Sequence, residues 1–155
     1  MIGGLQKVTL LDFPGKVACT VFLAGCNLRC PYCHNPDLVL TKDNGKYISE
    51  KEFFDFLFSR KGKLDGVCIT GGEPTLYPNL INLVCRIREM GFLVKLDSNG
   101  TVPEMLEHLL REELLDYVAM DIKNAPSRYA ETCGADIIEQ VKKSAALLKN
   151  SNIDY

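Results

Sequence analysis

The chain has 155 residues, 46% hydrophobic and 25% charged, with a formal net charge of −2. That is the size and composition of one globular domain, and it excludes a disordered chain, which would carry fewer apolar residues and more net charge. The charge balance gives no footprint for nucleic acid or an anionic membrane, and no apolar run reaches the roughly 20 residues of a membrane span.

The first 16 residues read as an extension ahead of the core, 17–155, of a single domain. Gly3, Gly4 and Gln6 stand where a signal peptide would carry its apolar stretch, so the expected compartment is the cytoplasm. Residues 17–24 (VACTVFLA) are apolar and β-branched, the pattern of a buried strand. A loop follows over 25–44, with Cys26, Cys30 and Cys33 clustered in it and Pro31 and Pro36 as breakers. Ser49, with Glu52 three residues on, is a capping box opening a helix over 50–60, with Phe53, Phe54, Leu57 and Phe58 on one face.

Residues 66–70 form the second expected strand, ended by Gly71-Gly72. A helix over 79–90, with Leu80, Leu83, Val84 and Ile87 at helical spacing, stops at Gly91. The third strand, 92–96, runs into Ser98-Asn99-Gly100. A helix over 102–111, a strand over 117–122 and a helix over 137–149 complete the series, and Asn150-Ser151-Asn152 breaks the last helix. Four strand–helix units predict an α/β fold, a parallel sheet with helices on the outside. The strands read as apolar on both faces. The sequence stops where a fifth strand could begin, so a compact partial barrel and a piece of a longer domain are both open readings.

Ligands of parallel α/β folds bind at the C-terminal ends of the strands, and the distinctive polar residues fall there. Cys26, Cys30 and Cys33 follow the first strand, Thr70-Gly71-Gly72-Glu73-Pro74 the second, Asp97-Ser98-Asn99-Gly100 the third, and Asp121 and Lys123 end the fourth. The odd total of seven cysteines, without a leader, argues against a disulfide framework. Three thiolates spaced CxxxCxxC on one loop can hold three corners of a four-iron, four-sulfur cluster and leave the fourth iron open. A zinc site is the main alternative, but it usually takes two close ligand pairs, and His34 adjoins Cys33 too closely to share one ion with it. Cys19, Cys68 and Cys85 read as small buried hydrophobes, and Cys133 carries no assignment.

CxxxCxxC after a first strand resembles the cluster loop of the radical S-adenosylmethionine (SAM) superfamily. Tyr32 matches the aromatic position before the third cysteine, and TGGEP resembles the motif that meets the cofactor's methionine amino group. The resemblance implies a partial (βα) barrel, a four-iron, four-sulfur cluster and SAM as cofactors, and reductive cleavage of SAM to a 5′-deoxyadenosyl radical. It implies cofactor binding by Tyr32, Gly71, Gly72, Glu73, Ser98, Asn99 and Lys123. Gly71 and Gly72 permit close backbone approach to a ligand, with an ordinary turn as the alternative. Glu73 either orients the loop or is a solvated carboxylate.

The DSNG and MDIK segments resemble those of glycyl-radical-enzyme activating enzymes. There the residue matching Lys123 meets the cofactor carboxylate, and those matching Asp97 and Asp121 hold a monovalent cation in some members. For Asn99-Gly100, plain turn chemistry is a close alternative. Cys33-His34-Asn35-Pro36, Gly3-Gly4-Leu5-Gln6-Lys7 and Leu11-Asp12-Phe13-Pro14-Gly15-Lys16 look most like the activating protein of anaerobic ribonucleoside-triphosphate reductase. The implied partners are that glycyl radical enzyme and an electron donor such as flavodoxin or ferredoxin. Alternatives are a pyruvate formate-lyase activating enzyme, a small-molecule enzyme such as a 7-carboxy-7-deazaguanine synthase, and a non-catalytic iron–sulfur or zinc module. His34 reads as structural and His108 as solvated; Arg29 and Lys42 read as surface charges.

Overall fold

The computed structural model describes residues 1–40 and 46–155; Lys42 and Asn44 of the expected loop lie outside the described residues. The elements in chain order are β1 (Ile2–Thr9), β2 (Ala18–Leu23), α1 (Pro36–Val39), α2 (Glu50–Ser59), β3 (Gly66–Gly71), α3 (Leu80–Glu89), β4 (Leu93–Ser98), α4 (Pro103–Arg111), β5 (Tyr117–Met120), α5 (Tyr129–Cys133) and α6 (Ile138–Lys149). They build one five-stranded sheet in the order β1-β2-β3-β4-β5. The pairs β2–β3, β3–β4 and β4–β5 are parallel, as the alternation of strands and helices predicts.

The four longer helices, α2, α3, α4 and α6, form where the sequence places them, whereas α1 lies inside the segment expected as loop, with Pro36 at its first turn rather than breaking it. Ser49 caps α2 through the reciprocal capping box with Glu52. Phe53, Phe54 and Leu57 are buried, but Phe58, expected on the same face, is 70% exposed and lies under the Lys61 ammonium. Leu80, Leu83, Val84 and Ile87 of α3, and Leu106 and Leu109 of α4, form the core with Val21, Ile69, Leu96 and Val118 of the sheet. Gly91 ends α3 with a φ of +91°, the left-handed region that glycine enters without a Cβ penalty. Among the described residues no helix is long and apolar enough to cross a membrane.

One expectation is corrected, and two segments without an expected element carry one. The N-terminal extension contains a strand. β1 pairs antiparallel with β2 as an edge strand, with register shifts between Ile2 and Gly4 and between Gln6 and Thr9. Its glycines and irregular pairing hide the period-2 pattern.

The strands are not apolar on both faces. Thr20, Cys68, Lys95 and Tyr117 pair across β2, β3, β4 and β5 as one rung on the face away from the helix-packed core. This polar rung is roofed by the segment after β1. Phe13, 3% exposed, packs against Tyr117 at 6.4 Å, and the Thr20 hydroxyl donates to the Asp12 carboxylate.

The stretch between β5 and α6, which the sequence pattern leaves without an element, carries a 3-10 turn (Pro126–Arg128) and α5. Beyond α6 the chain returns to the sheet, where Val118 donates its N–H to the Asp154 carbonyl at 3.0 Å and Tyr117 and Asp154 form a parallel bridge.

Candidate active site

The C-terminal ends of β2–β5 surround a cavity of about 500 Å3. Its walls include Cys26, Cys30 and Cys33, the Thr70–Glu73 turn, Asp97–Asn99, and Asp121 and Lys123. The topology thus joins four segments that lie far apart in sequence.

The cysteine loop is tied down at its start and at its middle. The N–H groups of Gly25 and Cys26 donate to the carbonyls of Leu38 and Val39 at 2.7 and 3.1 Å, so α1 pins its start. Arg29 donates its N–H to the Cys133 carbonyl at 2.9 Å, and its guanidinium reaches the carbonyls of Cys26 and Leu28 at 2.8 and 2.7 Å. Arg29 is therefore a brace for the loop, not merely a surface charge. Leu28, Tyr129, Cys133 and Val141 form a small second core against which Cys26 and Cys30 pack. Burial pushes the Cys133 thiol up to about 11 and raises Cys26 as well. Cys133 carries no local sequence signal because its partners, Leu28, Cys26 and Cys30, are remote in the chain. Cys19 and Cys68 are buried as expected, whereas Cys85 is only half-buried.

Gly71 and Gly72 are needed for a backbone contact. A Cβ on Gly71, whose φ is +127°, would lie 2.2 Å from the Leu23 carbonyl oxygen, and one on Gly72 would lie 2.1 Å from that of Gly25. Gly72 and Glu73 donate their N–H groups to those same two oxygens, at 2.8 and 2.7 Å. The close approach expected toward a ligand is thus first an approach of this turn to the cysteine loop.

Glu73 is 2% exposed, which removes the solvated alternative. One carboxylate oxygen accepts from the Thr75 N–H at 3.0 Å, the Thr75 hydroxyl and the Ser98 hydroxyl at 2.8 Å; the other accepts from the Asn99 N–H at 2.7 Å. Burial raises its pKa, and those hydrogen bonds work in the opposite direction. Both oxygens are engaged within the protein, so Glu73 welds the β3 turn to the β4 turn. In Glu73→Gln, whichever end carries the amide nitrogen faces a donor. The variant is expected to lose about 2 kcal/mol of stability in a denaturant titration.

Ser98 and Asn99 are buried within the β4 turn. The Asn99 side-chain oxygen accepts from the Thr101 N–H and hydroxyl at 3.0 and 2.7 Å, while its nitrogen reaches Asn27 at 3.1 Å and the Cys26 sulfur at 3.9 Å. Turn chemistry and site geometry therefore coincide at Asn99: the turn aims its amide at the cysteine loop.

Lys123 pairs with Asp121 at 2.7 Å, and its main chain is held by two tyrosines. The Tyr32 hydroxyl donates to its carbonyl at 2.9 Å, and the Tyr129 hydroxyl accepts from its N–H at 3.1 Å. Burial lowers the Lys123 pKa, but Asp121 outweighs this and the net shift is upward. Asp97 and Asp121 line the same cavity but pair with different lysines. Asp97 faces Lys95, which the sequence reading passed over, although a lysine flanked by Val94 and Leu96 in a strand is itself a signal. His34 is exposed and makes no hydrogen bond among the described residues; His108 is half-buried and lies 3.3 Å from Arg111.

The donor set fits a cubane cluster. Three thiols line one cavity from one loop, and a cubane takes such a set at three separate iron corners. A family model described as the Radical SAM superfamily matches residues 20–155. The chain belongs to the radical SAM superfamily.

The chain is also similar to several known proteins. The chain is 38% identical over 160 residues to a Methanocaldococcus jannaschii protein described, provisionally, as a glycyl-radical enzyme activating enzyme, covering 99% of this chain and 65% of that one. It is 34% identical over 128 residues to a pyruvate formate-lyase-activating enzyme of Clostridium pasteurianum, covering 79% of this chain and 52% of that one. The chain thus spans between half and two-thirds of these relatives' length. The crystal structure of QueE from Escherichia coli shares the fold at a TM-score of 0.59 and 16% identity, over 99% of this chain and 79% of that one. A larger cleft of about 1050 Å3, between α4, α6 and the segment after α6, has no cysteine among the described residues that line it and lies apart from this chemistry.

Proposed function

We propose that this radical SAM protein is a glycyl-radical-enzyme activating enzyme. The observation that carries the reading is the meeting of Cys26, Cys30 and Cys33 with the Gly71–Glu73 turn, Asn99 and Lys123 around one cavity. The described activating enzymes among its relatives support it. Cys26, Cys30 and Cys33 would each bind one iron, and the open cavity beside them would receive SAM. When bound, cluster and cofactor supply a one-electron cleavage that yields a hydrogen-abstracting 5′-deoxyadenosyl radical. The protein's part is placement. The turn of Gly71 and Gly72 presents main-chain groups at the cavity wall, and Lys123, oriented by Asp121, Tyr32 and Tyr129, offers an ammonium to the cofactor carboxylate.

The protein substrate under this reading is anaerobic ribonucleoside-triphosphate reductase, favoured by the Gly3–Lys7 and Leu11–Lys16 segments, with a flavodoxin- or ferredoxin-class reductant. The test is to incubate the reduced, cluster-loaded protein and SAM with that reductase, and separately with pyruvate formate-lyase, and record electron paramagnetic resonance spectra. A glycyl radical signal on the reductase alone supports the assignment. A signal on pyruvate formate-lyase alone moves the partner. No signal on either, with SAM still cleaved, sinks the activating-enzyme reading.

A further inference from the structure

Asp97 and Asp121 are the carboxylates that the family resemblance sets around a monovalent cation, and their surroundings do not fit that task. A cation site needs several hard oxygens free to turn toward the ion. Here one Asp97 oxygen contacts the Lys95 ammonium, and the other accepts from the Cys68 thiol at 3.5 Å. An Asp121 oxygen receives the Lys123 ammonium at 2.7 Å. Two carboxylates already face two ammonium groups.

Lys95 is not a surface residue that happens to reach inward. Its side chain is 7% exposed, and it stands in the polar rung between Cys68 and Tyr117. Its Nζ lies 3.8 Å from the Cys68 sulfur and 5.8 Å from the centre of the Tyr117 ring. An ammonium so enclosed is tolerated only against a carboxylate. A metal ion added to the same carboxylate, whose side chain is 31% exposed at the cavity wall, would set two positive charges against one negative.

We propose that Lys95 is the resident cation of this site: its ammonium gives Asp97 the positive partner that a bound metal ion would otherwise supply, so the site works without a monovalent metal. This rests on the radical SAM activity proposed above. Lys95 is a positioning residue that fixes the Asp97 carboxylate at the cavity wall. Its removal should leave that carboxylate unpaired and create the cation site that the lysine now replaces.

The test has one arm without turnover and one with it. Cluster-loaded protein with SAM is dialysed against Rb+ in tetramethylammonium chloride, and bound rubidium is measured by elemental mass spectrometry. The wild type is expected to retain no rubidium that K+ displaces, and Lys95→Met to retain about one ion per chain. In the second arm, 5′-deoxyadenosine formation by the wild type should be equal in tetramethylammonium and potassium chloride. Lys95→Met should be slower by about tenfold in the former and recover in the latter. Displaceable rubidium on the wild type would overturn the proposal, as would a folded Lys95→Met protein that gains none. If the variant does not fold, the wild-type arm decides. If the wild type forms no 5′-deoxyadenosine in any salt, the proposed activity fails while the rubidium result still reports on Lys95.

Discussion

Cys30→Ala is expected to give a folded protein that holds little iron after anaerobic reconstitution and forms no 5′-deoxyadenosine above background. Cys30 is half-buried, and its carbonyl accepts the Cys33 N–H at 3.2 Å, a bond that alanine keeps. The loop is held by Arg29, Leu28 and α5, so it should survive the loss of one sulfur. What disappears is one of three anchors for a cluster that has no fourth thiolate in the loop. Cys19→Ala is the contrast. Cys19 is fully buried, and burial pushes its thiol up to about 12, so it is a packing group rather than a ligand. Its replacement should cost about 1 kcal/mol and leave iron content unchanged. Equal iron and activity in Cys30→Ala and wild type, by elemental analysis and product chromatography, would remove the cluster assignment.

Gly72→Ala should damage fold and site together. The added methyl would sit 2.1 Å from the Gly25 carbonyl oxygen and 2.6 Å from its carbon, main-chain atoms that cannot swing aside. Relief requires the β3 turn to lift off the cysteine loop, breaking the Gly72–Leu23 and Glu73–Gly25 hydrogen bonds. The expected cost is about 3 kcal/mol, read as a fall in thermal midpoint on the order of 10 °C, with reduced iron loading. Gly4→Ala is the matched control. A Cβ there meets its nearest atom, Phe22 Cδ2, at an ordinary 3.7 Å, so its midpoint should hardly move. Equal midpoints for the two variants would contradict the packing described.

The parallel strands and their helices were legible because each carries a local signal, such as the β-branched run of β2, the capping box of α2 or the leucine spacing of α3. The cysteine spacing and the glycine pair were legible as well, although the glycines' immediate reason, contact with the carbonyls of Leu23 and Gly25, is a tertiary fact. β1 escaped because glycines and register shifts blur its alternation. The polar rung escaped because single polar residues inside apolar runs, Thr20, Cys68 and Lys95, show their common face only when the strands align. Cys133 and Tyr129 escaped because α5 is five residues long, too short for a periodic pattern, and its role lies in supporting a loop about a hundred residues earlier.

Reduction of the anaerobically reconstituted protein in the presence of SAM, followed by chromatography for 5′-deoxyadenosine, tests the central claim most directly. The account predicts a cluster bound by Cys26, Cys30 and Cys33 and 5′-deoxyadenosine formed with it. A cluster-loaded, reduced protein that leaves SAM intact, or a protein that takes up zinc but builds no cluster, would contradict it.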